Sequence, residues 1–117
     1  MSNNRKPSNI MQVIPKTTDF ILWLTQKINK FPRSQRFVLG DRIEVLFLDI
    51  LELLIEANYS HNKIELLNQA NLKLEKGRYL IRIAKDLHFL NINAYEFSSR
   101  SVNEIGRMIG SWKKVSR

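Results

Sequence analysis

The apolar positions of this chain fall into four helical stripes, and one of them dominates. In residues 31–56, FPRSQRFVLGDRIEVLFLDILELLIE, the side chains of Leu39, Ile43, Leu46, Phe47, Ile50, Leu51, Leu53, Leu54 and Ile55 spread over roughly 200° of a helix surface, against about 100° for an ordinary amphipathic stripe. Asp41, Glu44, Asp49, Glu52 and Glu56 fill the remaining arc. A helix this widely apolar needs neighbours on more than one side. It is the expected spine of a helical bundle.

The other segments read as its partners. Pro15 followed by Thr17, Thr18 and Asp19 has the form of a helix start with a hydroxyl cap and an early acid. Phe20, Ile21, Leu24, Ile28 and Phe31 then share one face, with Lys16, Lys27, Lys30 and, unexpectedly, Trp23 opposite, where the ring either packs on lysine stems or makes a subunit or ligand contact. Phe31-Pro32 ends that helix, because a residue before proline is pushed out of the helical region. Asn62-Lys63-Ile64-Glu65 and Asn93-Ala94-Tyr95-Glu96 have capping-box form and open a third and a fourth helix. Tyr79, Leu80, Ile83, Ala84, Leu87 and Leu90 read as the core face of the third. Phe97, Ser101, Val102, Ile105, Met108, Ile109 and Trp112 read as that of the fourth.

The predicted helices span about 17–30, 34–58, 63–90 and 94–114 of one bundle covering 15–117, behind a polar tail, 1–14, that has little to bury and is expected to be disordered. No strand pattern occurs. Short connections place sequential helices antiparallel, so the expected fold is all-α, an antiparallel up-down four-helix bundle. Gly40, Gly77, Gly106 and Gly110 all fall inside predicted helices, where each costs up to about 1 kcal/mol relative to alanine. Close helix packing or a required bend would explain them.

Composition narrows the chemistry. At 117 residues the chain fits one domain. It has no cysteine, which excludes disulfides and thiolate metal sites. Its two histidines, His61 and His88, stand outside any Glu-x-x-His pair, so the carboxylate–histidine metal site that some bundles hold is not expected. No glycine-rich phosphate loop, Gly-x-Ser-x-Gly motif or paired-carboxylate constellation is present. The reading is a non-enzyme with no catalytic residue, no metal and no cofactor. The polar N-terminus has no secretory apolar core, and the run Ile43–Ile55 is too short and too interrupted by acids to span a bilayer. A soluble cytoplasmic protein without a membrane partner is expected.

Charge adds a candidate function. The formal net charge is +8, unevenly distributed. Residues 32–60 carry five acids against three arginines, whereas residues 61–117 carry eleven Lys and Arg against five acids. Arg78, Arg82 and Lys85 recur on one side of the third helix. Arg100, Arg107 and Lys114 repeat every seven residues on the fourth, beside Lys113. Together they form a candidate polyanion surface, in which phosphate contacts give affinity through counterion release. No aromatic is interleaved among them, so backbone recognition of structured nucleic acid is expected and base stacking is not. The apolar excess of the spine, with Trp23, predicts a homo-oligomer, a ring with closing heterologous contacts. Trp23 and the head of the spine, Arg33, Arg36, Phe37 and Arg42, are the candidate subunit-interface residues.

FPRSQRFVLGDRIEVLFLDILELLIEA, ANLKLEKGRYLIRIAKDL and YEFSSRSVNEIGRMIGSWKK together resemble the four-helix-bundle family that contains the accessory variability determinant of diversity-generating retroelements and the proteins encoded in 23S rRNA intervening sequences. The head of the spine, Phe31 to Glu44, is most similar to the retroelement branch. The resemblance implies a homopentameric barrel of bundles with a positive surface. It implies binding to the retroelement's reverse transcriptase and template RNA, and support of cDNA synthesis in which adenines are copied unfaithfully. It also implies no catalytic centre in the accessory protein itself. Arg78 and Arg82 match basic helix positions associated with partner binding. The alternative is a structural oligomer of the intervening-sequence type, a protein–protein or rRNA-associated scaffold.

Overall fold

The computed structural model describes residues 12–117, and within them the chain folds into four long helices with no strand. These are α1, Val13–Ile28; α2, Asp41–Tyr59; α3, Lys63–Asp86; and α4, Ile92–Val115. Cross-helix contacts fix their order and direction. Phe20 meets Phe47 while Ile28 meets Gly40, so α1 and α2 run antiparallel. Phe47 against Gly77, with Asp49 against Lys73, sets α2 and α3 antiparallel. Arg78 against Asn103, with Lys85 against Tyr95, does the same for α3 and α4. Lys16 against Glu104 and Trp23 against Phe97 bring α4 back to α1. The main contacts therefore run around a square, with α1 and α3 on one diagonal. This is the arrangement of a four-helix bundle.

The spine reading locates the core. Ile43, Phe47, Ile50, Leu54 and Ala57 of α2 are fully buried, facing Phe20, Leu24 and Ile28 of α1, Leu67, Ala70, Leu74 and Ile81 of α3, and Val102, Ile105, Ile109 and Trp112 of α4. Of the rest of the broad apolar arc, Leu39, Leu51 and Leu53 pack half-buried against the core and only Ile55 is exposed; the other exposed apolar side chains of α2 lie outside that arc. Val45, Leu48, Ile55 and Tyr59 stay exposed along the outer side of α2.

Three features differ from expectation. The first helix starts at Val13, inside the stretch read as tail, and Val13 is buried; residues 1–11 lie outside the described ones. Thr17 and Thr18 therefore do not cap it. Their hydroxyls donate back to the carbonyls of Val13 and Ile14, at 2.7 and 2.9 Å. Pro15 fits because the first-turn N–H groups have no intrahelical acceptor.

Second, the helix expected over 34–58 is not uniform. A short turn, Arg33–Gln35, passes into a π turn, Arg36–Gly40, before α2 begins. The N–H of Asp41 reaches back to the Arg36 carbonyl, five residues away. The π turn leaves Phe37 and Val38 exposed and puts Gly40 against α1, where an added Cβ would sit 2.7 Å from Ile28 Cγ2.

Third, the caps and the third helix shift. Asn62 makes no side-chain cap bond. Its own N–H is held by Ser60 Oγ at 2.9 Å instead. Asn93 is inside α4, and the cap is Asn91, whose Oδ1 accepts from Ala94 N at 2.8 Å. The third helix ends at Asp86, short of Leu90, where His88 turns left-handed at φ 66° and Phe89 N–H closes on the Ala84 carbonyl at 2.8 Å. Its buried side is also rotated from the expected one. Gly77, Ile81 and Ala84 face the core, while Tyr79, Ile83 and Leu87 are exposed and Leu80 is half-buried. Gly77 permits this, because the Phe47 ring lies where its Cβ would be, at 2.7 and 2.8 Å. Asn91→Ala is expected to lower stability by about 1 kcal/mol, and Asn93→Ala far less, in thermal or urea melts.

Candidate nucleic-acid interface

The cations of α3 and α4 occupy two rows with different surroundings. On α3, Arg78, Arg82 and Lys85 lie along the α4 side, as the contacts of Arg78 with Asn103 and of Lys85 with Tyr95 show. This row is already engaged. Arg78 Nε is 3.2 Å from Glu75 Oε2, and its Nη1 donates to Asn103 Oδ1. The guanidinium spans the seam over Gly106, where an added Cβ would sit 3.3 Å from Nη2. Arg82 Nε lies 3.7 Å from Asp86, and Lys85 Nζ is 3.2 Å from the same carboxylate and 5.1 Å above the Tyr95 ring. One acid thus answers two bases, and Arg82 remains mostly exposed.

On α4, Arg100, Arg107 and Lys114 are exposed and have no carboxylate within 4.0 Å among the described residues. Asn103 and Gly106 face α3, and Phe97 and Glu104 face α1, so this row runs along the outer edge between them. Its members are spaced by seven residues, about 10 Å along the axis. Two acids lie beside the row: Glu96, four residues before Arg100, is exposed and has no cation within 4.0 Å among the described residues, and Glu104 is taken up by Lys16 at 2.9 Å. That hydrogen bond first, then the Lys16 charge, outweigh the small cost of desolvation and hold the carboxyl below its ordinary range. Arg107 adds a smaller effect in the same direction. Lys113 is half-exposed next to the row.

The residues proposed from sequence as subunit contacts do not form one cluster. Trp23 is half-buried within a single bundle, stacked on Phe20 at 5.6 Å and tilted against Phe97 at 4.6 Å, with Lys27 over its ring at 5.6 Å. Intramolecular packing accounts for an indole on the lysine side of α1. Arg33 and Phe37 are exposed at the α1–α2 end of the bundle, and Arg36 is half-buried there. Arg42 opens instead onto a groove between α2 and α3, with Leu46, Lys76, Tyr79 and Leu80. Nothing in the sequence pattern marks Lys76 or Tyr79 for this groove: the spacing places Tyr79 in the core, and the rotation of α3 exposes it.

Among the described residues, no group of three or more His, Asp or Glu is poised to hold a metal ion. No helix there is long and apolar enough to cross a membrane. The class defined by this fold and surface is a small four-helix-bundle protein whose outer features are rows of cations and an uncovered apolar face. The chain belongs to the bAvd-like family, the bacterial accessory variability determinants, whose model matches residues 11–116. That family is of an accessory, non-catalytic kind. No curated protein matches the chain, and no solved structure does.

Proposed function

We propose that this protein is the non-catalytic accessory factor of a diversity-generating retroelement. It binds the reverse transcriptase and template RNA and supports cDNA synthesis with unfaithful copying at adenines. Family membership over residues 11–116 carries the reading, since it implies association with retroelement components. The unpaired α4 row supports the RNA part. Three exposed cations without acid partners release counterions from a polyanion at little cost, whereas Arg78 must share its charge with Glu75.

The exposed apolar side chains of α2 support self-association, and membership of the family is what makes the proposed assembly a pentameric ring in the cytoplasm. Val45, Leu48, Ile55 and Tyr59 line one exposed side of α2, with Glu52 among them, and exposed apolar side chains gathered on one side are a feature of interfaces. The decisive experiment is co-expression with the neighbouring reverse transcriptase and its template RNA, with and without this protein. Adenine-mutagenised cDNA is expected only with it, and cDNA of equal yield and error without it would refute the proposal. Purified protein should bind RNA with an affinity that falls steeply with salt, and should scatter light as a species several times its 13.8 kDa chain mass.

A further inference from the structure

Tyr79 stands on the outer side of α3 with 70% of its surface exposed, where the core makes no use of it. Its ring borders the open groove between α2 and α3, about 460 Å³ in volume, whose other walls are Arg42 and Leu46 of α2 and Lys76 and Leu80 of α3. No carboxylate lines the groove. Asp49 on the same seam is met by Lys73 at 3.6 Å. Arg42 and Lys76 have no carboxylate within 4.0 Å among the described residues.

An exposed aromatic ring that shares a groove with leucines and two uncommitted cations combines the two elements by which single-stranded nucleic acid is bound. The ring offers a stacking face to any base, and the cations take the backbone on either side. We propose that the α2–α3 groove is a single-strand subsite. In it an unpaired RNA base stacks on Tyr79, and Arg42 and Lys76 hold the flanking phosphates. The proposal rests on the RNA-binding reading above and adds what the cation rows lack, a preference for unpaired bases. Bases in a duplex are stacked on each other and cannot enter. A second copy of the chain suits the groove less well, because an apolar subunit contact would bury two cations without partners.

The test measures fluorescence anisotropy of a short uridine-rich single strand, the same strand with abasic sites, and a duplex of equal length, against wild type, Tyr79→Ala and Tyr79→Phe. Tyr79→Ala should weaken single-strand binding by about tenfold, as expected for loss of one stacked base. Duplex affinity and the slope of log affinity against log salt should stay unchanged, because stacking releases no counterions. Tyr79→Phe should bind like wild type. Wild type should bind the abasic strand no better than Tyr79→Ala does.

Unchanged single-strand affinity in Tyr79→Ala would overturn the proposal, and so would an equal loss for strand and duplex. A lower light-scattering mass for Tyr79→Ala would also overturn it, by making the ring a subunit contact. If wild type binds both RNAs and Tyr79→Ala alters neither, the subsite alone fails. If wild type binds no RNA at all, the RNA-binding reading fails with it.

Discussion

Phe47→Ala is expected to destabilise the bundle by about 3–5 kcal/mol, a large part of the roughly 5–15 kcal/mol that holds a domain of this size together. The ring has no exposure, meets Phe20 edge-on at 5.1 Å, and lies against the backbone of Gly77. It fills the space where α1, α2 and α3 converge. Gly77 tests the same contact from the other side. In the wild type, Gly77→Ala puts a methyl 2.7 Å from Phe47 Cε2, and overpacking of this kind costs about 1–3 kcal/mol. In the Phe47→Ala background the obstacle is gone, and the alanine should instead stabilise the helix by up to about 1 kcal/mol. Urea denaturation of the four proteins gives the coupling directly. Equal destabilisation by Gly77→Ala in both backgrounds would show that the ring is not what the glycine accommodates.

The second large effect is electrostatic. Replacing Arg100, Arg107 and Lys114 together by alanine should lower RNA affinity by about two orders of magnitude at roughly 0.1 M salt. It should also reduce the slope of log affinity against log salt by about 2–3, since each neutralised phosphate contributes about 0.7–0.9. All three side chains are exposed, so the melting temperature should hold. Arg78→Ala should change the slope less than any member of that row, because its guanidinium is committed to Glu75 and Asn103. A triple variant with an undiminished slope would place the RNA elsewhere on the molecule.

The helices and much of the core could be read from the chain because large apolar residues mark them. Phe20, Ile21, Leu24, Ile28 and Phe31 are buried together, as are Val102, Ile105, Ile109 and Trp112. The inner face of α3 is legible only in part. Ala84 and, beyond the helix end, Leu90 are buried as their spacing predicts, but Gly77 contributes little hydropathy, and the large Tyr79, Ile83 and Leu87 outweigh it in the pattern although they lie outside. Small residues win the inside where two helix axes approach closely, and that is a property of the pair.

The caps failed for a related reason. Asn62 and Asn93 both stand three residues before a glutamate, but the path of the loop decides which side chain reaches the first turn, and Asn91 arrives there. The exposure of the cations of the fourth helix was legible; the engagement of Arg78 was not, because Asn103 lies 25 residues away and meets it only through the register of α3 on α4.

The π turn at Arg36–Gly40 has a consequence for how the chain tolerates changes in length. It is a helical turn with one residue of slack. A single deletion there converts it to an ordinary α-helical turn, with Arg33–Gln35 and α2 keeping their faces. The same deletion within α2 would rotate every residue beyond it by about 100° and carry half of the buried side chains into water. The junction between the first two helices, at its exposed residues Phe37 and Val38, is therefore the point in this hairpin where a residue can be lost at the least cost to the core.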